Sequence, residues 1–373
     1  MLRYLTAGES HGEALVAILE GMVAGLKIDQ SKIDKELKRR QQGYGRGGRM
    51  KIESDRANIL SGIRKGSTLG SPIAIMIKNK DFSINRLAAV TSPRPGHADL
   101  AGILKYNSKD ARDILERASA RETAARVGVG AICKEFLSEF GINIFSHITY
   151  LDGVNAATKN LSFDQIIKKV SKSKLNCADE GAESLMIKRI DTAKAKGDTL
   201  GGAFEVIALG LIPGLGSCMH YDRKLDAIIA FELMSMQAIK GIEFGAGFNG
   251  CRSFGSQFHD PISIKGKSIK RVRNNAGGIE GGMSNGQPIR VTCAMKPIAT
   301  LLNPLDSIDI RKKISQKAAV ERSDICALPA ASVVGENIMA FVLAQAMLEK
   351  FGGDSLDETK RNYKSYVKNL PFK

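Results

Sequence analysis

Short apolar runs broken by glycine recur along the chain and predict buried strands. Residues 14–26 read ALVAILEGMVAGL, which favours a buried strand followed by a turn over a helix. Residues 201–213, GGAFEVIALGLIP, predict a second strand. Strands and helices do not alternate as regular βαβ units, so the pattern does not favour a doubly wound parallel sheet.

Longer segments with helical spacing predict helices elsewhere. Residues 120–140 are rich in alanine and are followed by a glycine that acts as a stop signal. Residues 330–353 predict a long apolar helix that ends at Gly352, and residues 355–370 predict a final surface helix. No Pro- or Ser-rich linker and no repeat of fixed period divides the sequence, so residues 1–373 are expected to form a single domain.

Serines stand at three places where helix caps are expected. Ser31 opens the helical segment SKIDKELKRR and is its plausible N-cap. Ser119 and Glu122 have the S-x-x-E spacing of a capping box at the start of the alanine-rich helix. Ser10 and Glu13 have the same spacing, so a purely structural role for the stretch ESHGE stays open.

The totals are those of a globular protein of the cytoplasm. Hydrophobic residues make up 43% and charged residues 25%, which are ordinary values. No apolar run approaches the ~18 residues of a membrane-spanning helix, and the N-terminus lacks the layout of a signal peptide. The six cysteines form no C-x-x-C pair, which favours buried thiols over disulfides, and no metal site is predicted.

The charge balance adds an expectation about ligands. Fifty-five Lys and Arg against thirty-nine Asp and Glu give a net charge of +16, so the protein is expected to bind anions. Nucleic acid, an acidic membrane surface and small polyanions all satisfy that charge. Aromatic residues are only 6% and tryptophan is absent, which leaves few platforms for stacking bases.

The stretch RRQQGYGRGGR at residues 39–49 combines arginine with glycine. Glycines let the backbone approach a ligand closely, and Arg40, Arg46 and Arg49 can then converge on phosphate or carboxylate. A plain loop and an RGG-type RNA-binding segment are the alternatives. The stretch occurs once and lies between segments predicted to be ordered, which favours the small-anion site.

Two further stretches carry candidate chemistry. In ERASARET, Arg117 and Arg121 flank a predicted helix N-terminus, where exposed N–H groups and the helix dipole attract anions. In PRPGHAD, two prolines and a glycine present His97 on a rigid turn, which suits either proton transfer or a structural role. Arg322 and Asp324 in ERSDIC are either a surface pair or an anion-and-proton site.

Other patterns exclude activities. GAGFNG matches G-x-G-x-x-G but lacks a following helix and a βαβ unit, so a dinucleotide fold is rejected, and no Walker pattern is present. Adjacent Ser10 and His11 do not form a nucleophile and base, because a triad is assembled in space. ESHG also lacks a metal-ligand spacing such as H-E-x-x-H. His11 then remains suited to protonating a leaving group.

Taken together, these stretches resemble the chorismate synthase family, nearly end to end and in order. The motifs that carry the resemblance are GESHG, RRQQGYGRGGRMKIESD, LSGIRKGSTLGSPI, PRPGHADL, ERASARETAARV, GDTLGG, YDRKLDA, KGIEFGAGF, NNAGGIEGGMSNGQPI, MKPIAT and ERSDICALPAA. The resemblance implies an α+β fold, a β-α-β sandwich in which antiparallel sheets enclose a helical layer. It also implies a homotetramer.

The resemblance implies a lyase of the last common step of the shikimate pathway. The reaction converts 5-enolpyruvylshikimate 3-phosphate to chorismate and phosphate by a 1,4-anti elimination, and it requires reduced FMN although it is redox-neutral. No reductase segment is evident in the sequence, so a separate flavin reductase is expected to supply reduced FMN. No nucleic-acid or membrane partner is implied.

The resemblance also assigns roles to residues. His11 is the implied proton donor to the leaving phosphate, His97 governs protonation of reduced flavin, and Asp324 helps flavin N5 act as a base. Ser10 and Ser119 are relay hydroxyls. The implied FMN contacts are Arg117, Ala118, Ser119, Gln237, Ala238, Gly281, Lys296, Pro297, Ile298, Ala299, Thr300 and Arg322. The implied substrate or NADP contacts are Arg40, Arg46, Arg49 and Arg121.

The chain departs from the family pattern at four positions. Ala118 stands where serine is common, Gln237 replaces asparagine, Ala299 replaces proline or serine, and Ile325 stands where proline is frequent. These departures affect the expected flavin contacts and not the expected reaction. The rival hypotheses are a nucleic-acid-binding protein that uses GYGRGGR, and a different lyase or transferase for phosphorylated small acids.

Overall fold

The computed structural model describes residues 1–48, 52–266 and 268–371, with Lys265 described by its backbone alone. The strands are β1 (Arg3–Ala7), β2 (Ala14–Glu20), β3 (Asn58–Ile59), β4 (Ile63–Arg64), β5 (Ser67–Thr68), β6 (Ile73–Lys78), β7 (Asn143–Leu151), β8 (Val154–Asn155), β9 (Gly202–Leu209), β10 (Pro213–Gly216), β11 (Ile239–Phe244), β12 (Ile262–Lys265), β13 (Ser268–Arg271), β14 (Ile279–Glu280), β15 (Met283–Asn285), β16 (Ile289–Met295), β17 (Asp306–Asp309) and β18 (Ile314–Lys317).

The helices are α1 (Gln30–Gln41), α2 (Asp99–Tyr106), α3 (Arg112–Ala118), α4 (Thr123–Ser138), α5 (Phe163–Val170), α6 (Glu180–Ala195), α7 (Leu225–Met234), α8 (Gly247–Gly250), α9 (Gly255–Phe258), α10 (Leu328–Phe351) and α11 (Leu356–Lys368). Single turns of 3₁₀ helix cover Ile84–Arg86, Ala120–Glu122 and Tyr221–Arg223.

One outer layer is a four-stranded antiparallel sheet in the order β1-β2-β6-β3. Its strands alternate between a buried and a more exposed face, as the two-residue period of a strand requires. On β2, Leu15 and Leu19 are buried, and on β6, Ile73, Ile75 and Ile77 are buried. This buried face packs on α4.

The opposite layer is a five-stranded antiparallel sheet in the order β11-β16-β9-β7-β8. Its central strand β9 is buried along Phe204–Ala208, so both faces are covered. One face packs on α10, which touches Phe204 and Val206 closely at Gly335. On the other face, Ile207 packs with residues of α5.

The middle layer consists mainly of α4 and α10, which lie between the two sheets. The helices meet at Gly130 of α4, where a Cβ would lie 2.3 Å from the backbone oxygen of Asn337 of α10. Glycine is therefore needed for this close approach, because any side chain would overlap the neighbouring backbone. The result is a sheet–helix–sheet arrangement around one continuous hydrophobic cluster.

A buried charge network crosses the helical layer. Glu336 of α10 accepts hydrogen bonds from Arg39 (2.8 Å), Lys134 (2.6 Å) and Ser146 (2.7 Å). Burial raises the pKa of Glu336, but the nearby charges of Arg39 and Lys134 more than offset this and lower it. The carboxylate is thus held ionised in the core by cations from α1 and α4.

Small elements surround the three layers. A three-stranded sheet has the order β10-β15-β14, and three hairpins are formed by β4–β5, β12–β13 and β17–β18. Helices α2 and α3 enclose a separate small core of Val90, Ile103, Ala111 and Leu115. This unit supplies the end of α3 to the candidate site described below.

The predicted serine caps need correction. Helix α1 begins after Asp29, whose side chain accepts from Ser31 N, so Asp29 and not Ser31 is the cap. Ser119 does accept from the N–H of Arg121, but it caps a 3₁₀ turn. The carboxylate of Glu122 binds Thr6 and Arg126, and not the cap backbone, so no capping box forms there.

The stretch after Ser10 forms a turn and no helix, so the capping reading of ESHGE is wrong. The expectation that no segment has the length and apolarity of a membrane span is also wrong. Helix α10 has 24 residues, and an 18-residue window of it has a mean hydropathy of 1.5. Within the protein, 89% of that segment is buried. Its apolar composition is therefore that of a central core helix.

Candidate active site

The turn between β1 and β2 carries Ser10 and His11. Gly8 begins the turn at φ +102°, and a Cβ there would lie 2.3 Å from the oxygen of Ala14, so the turn requires glycine. Ser10 N donates to the backbone oxygen of Glu116 at 2.9 Å, and His11 N donates to the Glu116 carboxylate at 2.8 Å. The end of α3 therefore fixes the position of the turn.

A carboxylate lies near each of the two ring nitrogens of His11. Its Nδ1 lies 2.9 and 3.0 Å from the two carboxylate oxygens of Glu116, and its Nε2 lies 3.9 Å from Oδ2 of Asp81. Burial raises the pKa of Glu116, but the hydrogen bonds with His11 more than offset this, so the pKa is lowered. Glu116 is accordingly ionised at neutral pH.

A cleft of about 470 Å³ opens beside this imidazole. It is lined by His11, Glu13, Phe82, Ser83, Ile84, Asn85 and Arg86. The loop after β6 forms most of the wall, and Ile84 N donates to the backbone oxygen of His11 at 3.0 Å. His11 thus borders a space large enough for a small molecule.

Two hydroxyls lie next to each other behind His11. Ser119 Oγ and Ser10 Oγ are 3.3 Å apart, because Ser119 begins the 3₁₀ turn that leads from α3 into α4. The two serines to which the family resemblance assigns a relay role therefore lie side by side. Ala118, the last residue of α3, adjoins them and is half-buried.

Arg322 is linked to His11 through Asp81. Its Nη2 donates to Oδ2 of Asp81 at 2.8 Å, and 63% of its side chain is exposed. Burial raises the pKa of Asp81, but hydrogen bonds from Ser83 and Arg322 more than offset this and lower it. Arg322 therefore pairs with Asp81 and not with its sequence neighbour Asp324.

Two arginines meet in a buried cluster around Asp55. Arg121 Nη1 donates to Oδ2 of Asp55 at 2.6 Å, and Arg40 Nη1 lies 3.7 Å from the same oxygen. Arg40 Nη1 and Arg121 Nη2 are buried and find no hydrogen-bond acceptor within the described residues. Burial lowers the pKa of Arg40, and the charge of Asp55 offsets this only in part.

The glycine-rich loop is held against the segment that precedes α10. Gly47 N donates to Oδ1 of Asp324 at 2.6 Å, and Arg46 Nε lies 3.0 Å from Oδ2. Ile325 N donates to the oxygen of Gly45 at 2.8 Å. The structure thus places Arg46 and Asp324 in contact. Arg49 lies outside the described residues.

The turn PRPGHAD holds His97 with a second carboxylate. His97 Nδ1 lies 2.5 Å from Oδ1 of Asp99, and Arg94 Nε donates to Oδ2 of Asp99 at 2.8 Å. Burial raises the pKa of Asp99, but hydrogen bonds from His97 and Arg94 more than offset this and lower it well below its usual range. Arg94 also donates to Oγ1 of Thr300 at 2.7 Å.

Residues 296–300 connect the His97 turn with the Asp324 segment. Lys296 Nζ donates to the oxygen of Gly96 at 2.9 Å, and Ser323 Oγ donates to the oxygen of Thr300 at 3.3 Å. Ile298 contributes its backbone oxygen to Thr199, Ala299 packs near Gly96, and Pro297 is exposed. Burial, and secondly the charge of Lys240, lowers the pKa of Lys296.

Arg117 and Gln237 are linked through two other residues. Arg117 donates to the oxygens of Gly8 (3.0 Å) and Thr6 (2.9 Å), and Thr6 Oγ1 donates to Glu122 at 2.7 Å. Gln237 Nε2 donates to the same Glu122 carboxylate at 3.4 Å. Gln237 Oε1 is buried and finds no donor within the described part of the chain.

The two remaining predicted positions, Ala238 and Gly281, lie in different parts of the fold. Ala238 has φ +68° and accepts from Lys296 N at 2.9 Å, which ties it to the 296–300 segment. Gly281 has φ +60° in the tight turn between β14 and β15, where its closest packing neighbour outside the turn is Cys218. Gly281 therefore belongs to the small three-stranded sheet.

Comparison with known proteins decides the family. The family model described as "Chorismate synthase" matches residues 2–348. The chain belongs to the chorismate synthase family. Among curated relatives of that name, the protein of Syntrophotalea carbinolica is 52% identical over 377 residues, covering 98% of this chain and 97% of the relative. That of Aquifex aeolicus is 52% identical over 393 residues, covering 99% and 98%.

A solved structure agrees with this assignment. The "Crystal Structure of Chorismate Synthase" superposes with a TM-score of 0.82 at 45% identity and covers 99% of this chain and 98% of that chain. The predicted membership of the chorismate synthase family is confirmed, and so is the predicted α+β fold. The antiparallel sheets on either side of α4 and α10 are the form that this fold takes here.

Sequence reasoning missed the carboxylates that hold the histidines. Glu116 and Asp99 each lie within a stretch already singled out, ERASARET and PRPGHAD, but neither was assigned a role. The signal was available for Asp99, which is two residues from His97. Glu116 is 105 residues from His11, so only the folded chain reveals that pair. The same holds for Asp81, which joins His11 to Arg322.

Proposed function

We propose that the chain is a carbon–oxygen lyase that converts 5-enolpyruvylshikimate 3-phosphate to chorismate and phosphate, the last common step of the shikimate pathway. The observation that carries the proposal is a full-length relation at 52% identity, in which the family's histidine motif borders a cleft of about 470 Å³. Aromatic amino acid biosynthesis is the process to which this reaction belongs.

The substrate carries a phosphate and two carboxylates, and the arginines of the glycine-rich loop suit such a molecule. Arg40 and Arg121 each keep a buried N–H group without an acceptor among the residues described, and such groups gain most from an anionic partner. Arg46 lies beside them, and we assign Arg49 to the same substrate or nicotinamide site from its place in the motif. Guanidinium groups bind phosphate and carboxylate through paired hydrogen bonds, which suits them to such a substrate.

His11 acts on the leaving group. Glu116 fixes its Nδ1, so His11 transfers a proton from Nε2 to the departing phosphate oxygen. The adjacent hydroxyls of Ser10 and Ser119 relay protons within the site. His97, held by Asp99 and Arg94, and Asp324, held by Arg46 and Gly47, hold protons on the cofactor side.

We further assign reduced FMN as the cofactor, and the residues fit such a group. Gln237 Oε1 is a buried acceptor that finds no donor in the described chain, and it suits the N–H edge of a flavin. Exposed guanidiniums of Arg117 and Arg322 suit its phosphate. Reduced flavin, when bound, supplies electron density that assists departure of the phosphate. The further FMN contacts are Ala118, Ser119, Ala238, Gly281, Lys296, Pro297, Ile298, Ala299 and Thr300.

The setting of the enzyme follows from the same proposal. Residues 1–373 act as one domain within a homotetramer, and a separate flavin reductase supplies reduced FMN. A cytoplasmic location is supported by the six cysteines, all of which are free thiols. The RNA-binding alternative is disfavoured because the Arg40 and Arg46 side chains are 5% and 9% exposed, so neither is presented to a nucleic-acid backbone.

Anaerobic turnover tests the proposal. Purified protein, chemically reduced FMN and 5-enolpyruvylshikimate 3-phosphate under nitrogen are expected to give chorismate with many turnovers per flavin, followed by its absorbance and by phosphate release. Oxidised FMN without a reductant is expected to give none. Efficient turnover with oxidised FMN alone would refute the flavin requirement, and no turnover under any of these conditions would refute the lyase.

The source of electrons is tested in the same assay. FMN with NADPH and no second enzyme is expected to give little chorismate, because reduced flavin comes from a separate reductase. Efficient turnover with NADPH alone would overturn that assignment, and loss of this activity in Arg40→Ala and Arg46→Ala would then identify the nicotinamide contacts.

A further inference from the structure

Glu116 binds the ESHG turn at Ser10 and at His11. Its backbone oxygen accepts from Ser10 N at 2.9 Å, and its carboxylate accepts from His11 N at 2.8 Å. The same carboxylate lies 2.9 and 3.0 Å from Nδ1 of His11, with 1% of its side chain exposed. Backbone and imidazole are therefore both fixed by a single buried anion.

A carboxylate in this place has two physical effects on an imidazole. It keeps the proton on Nδ1, which sets the tautomer and ring orientation and leaves proton transfer to Nε2. It also favours the charged imidazolium over the neutral ring, because an opposite charge at hydrogen-bond distance stabilises the charged form. A proton donor needs both properties, since it must begin the reaction charged and correctly aimed.

We propose that Glu116 is a positioning residue that acts through His11, holding it as an oriented imidazolium ready to protonate the leaving phosphate. The proposal rests on the proposed function of His11 as the proton donor. In the elimination, the C–O bond to phosphate breaks with its electron pair on the phosphate oxygen, and that oxygen takes the proton from Nε2. At the other end of the reacting system the substrate C–H bond breaks, its proton goes to the base on the cofactor side, and its electron pair completes the new double bonds. Neutral imidazole remains and recovers a proton from solvent.

The other charges around the pair come from α3 itself and from two further segments. Asp81, in the loop after β6, lies 3.9 Å from His11 Nε2 and is itself bound by Arg322. Arg112, one turn before Glu116 on α3, donates to the Glu116 carboxylate at 3.3 Å and to Glu321 at 2.8 Å. The shortest contact of the Glu116 carboxylate with a side chain is therefore the one with His11 Nδ1, at 2.9 Å.

The test compares Glu116→Gln with two further variants. The glutamine keeps the shape and an acceptor oxygen but removes the charge. Glu116→Asp keeps the charge and shortens the reach. Glu205→Gln is the matched control, because Glu205 binds Nε2 of His147 at 3.0 Å in the buried core of the five-stranded sheet.

The expected results separate positioning from stability. Glu116→Gln is expected to lower kcat about 10- to 100-fold, with KM changed much less, since it acts on an outer partner of the reacting group. The alkaline limb of its kcat/KM profile is expected to move to lower pH, and Glu116→Asp is expected to restore that limb. Glu205→Gln is expected to leave the profile unchanged. Equal pH profiles for wild type, Glu116→Gln and Glu116→Asp would overturn the proposal.

A second readout needs neither substrate nor cofactor. The chain has five histidines, so ¹³C-histidine NMR can follow each ring during a pH titration, with the His11 signal identified by His11→Gln. The His11 signal is expected to titrate at lower pH in Glu116→Gln than in wild type. Unchanged titration would sink the positioning role even if turnover fell. If Glu116→Gln shifts the His11 titration but the wild-type protein makes no chorismate, the Glu116–His11 pair is retained and the lyase is rejected.

Discussion

At the scale of single residues, three histidines are each held by a carboxylate. His11 binds Glu116, His97 binds Asp99, and His147 binds Glu205. The side chains of His11 and His97 are partly exposed, at 15% and 21%, whereas that of His147 is 0% exposed. The first two can therefore exchange protons with a ligand, and the third is a structural member of the sheet.

His11→Ala tests the proposed proton donor directly. It is expected to lower kcat by about 10²–10⁴-fold, the usual contribution of a general acid, while FMN binding stays near wild type. Anaerobic turnover and flavin titration measure the two effects. His259→Ala, at an exposed position, is the control and should retain full activity. Near-wild-type turnover of His11→Ala would return ESHG to the role of a structural turn.

Because of Asp99, the free energy of unfolding is expected to decrease at acidic pH. The pKa of Asp99 is lowered by folding, so its contribution is complete above the unfolded value of about 3.9 and is lost as the pH falls toward the lower folded value. Asp99→Asn is expected to cost about 3–5 kcal/mol at pH 7, because buried Arg94 loses its counter-charge.

The same substitution should flatten the acid response. Thermal unfolding between pH 7 and pH 3 is expected to show the difference between wild type and Asp99→Asn shrinking as the pH falls below about 4. A difference that stays constant over this range would show that the charge of Asp99 does not stabilise the fold. Leu104→Ala, at an exposed position of the helix that begins at Asp99, is the control and should track wild type.

Residue chemistry was predictable from sequence only where a motif presented it. His11, His97, Arg40 and Asp324 lie in unusual local contexts and could be singled out. Glu116 could not, because an acidic residue in a helical stretch is equally typical of a solvated face. Its role depends on burial and on a partner far away in the chain, and no local pattern encodes either.

At the scale of elements, the seam between α4 and α10 depends on glycine. Gly130→Ala would place a methyl group 2.3 Å from the Asn337 oxygen, so the helices must separate, and the expected loss of stability is about 1–3 kcal/mol or more. Urea unfolding measures it. Gly128→Ala, two residues earlier on α4, is the matched control. A Cβ there would lie 3.7 Å from the nearest atoms, which are methyl carbons of Ile75.

The control should change stability in the opposite direction. At Gly128 the new methyl makes ordinary contacts, and alanine is favoured over glycine inside a helix by about 0.5–1 kcal/mol. Gly128→Ala is therefore expected to be neutral or stabilising. Equal destabilisation by both variants would contradict the close approach at Gly130.

Elements were predicted well where one period ran uninterrupted. The strand over 14–26 appears as Ala14–Glu20, and the long apolar helix runs Leu328–Phe351 and ends before Gly352. Helix starts were less predictable, since Asp29 and Ser31 are both good caps and only backbone geometry selects Asp29. Strand pairing such as β9 with β16 joins distant segments, so periodicity could not predict it and the family resemblance was needed.

At the scale of the whole molecule, many large apolar side chains remain on the surface of one chain. Phe231, Phe248 and Phe254 are each at least 70% exposed. Burial of such groups between subunits is favourable at about 25 cal/mol per Å². Light scattering is therefore expected to give a mass about four times the 40.2 kDa of one chain. A mass of one chain at micromolar concentration would contradict the homotetramer.

The contact between Gly47 and Asp324 spans 277 residues and has a consequence for biosynthesis. A ribosome that adds about 5–20 residues per second needs roughly 14–55 s to travel from one partner to the other. During that interval the glycine-rich loop has been synthesised, but the segment with Asp324 that binds it has not. Helix α4 is likewise synthesised well before α10, so the apolar surface on which α10 packs is still uncovered. The nascent chain therefore exposes this surface through much of its synthesis, and the site is completed only near the end of translation.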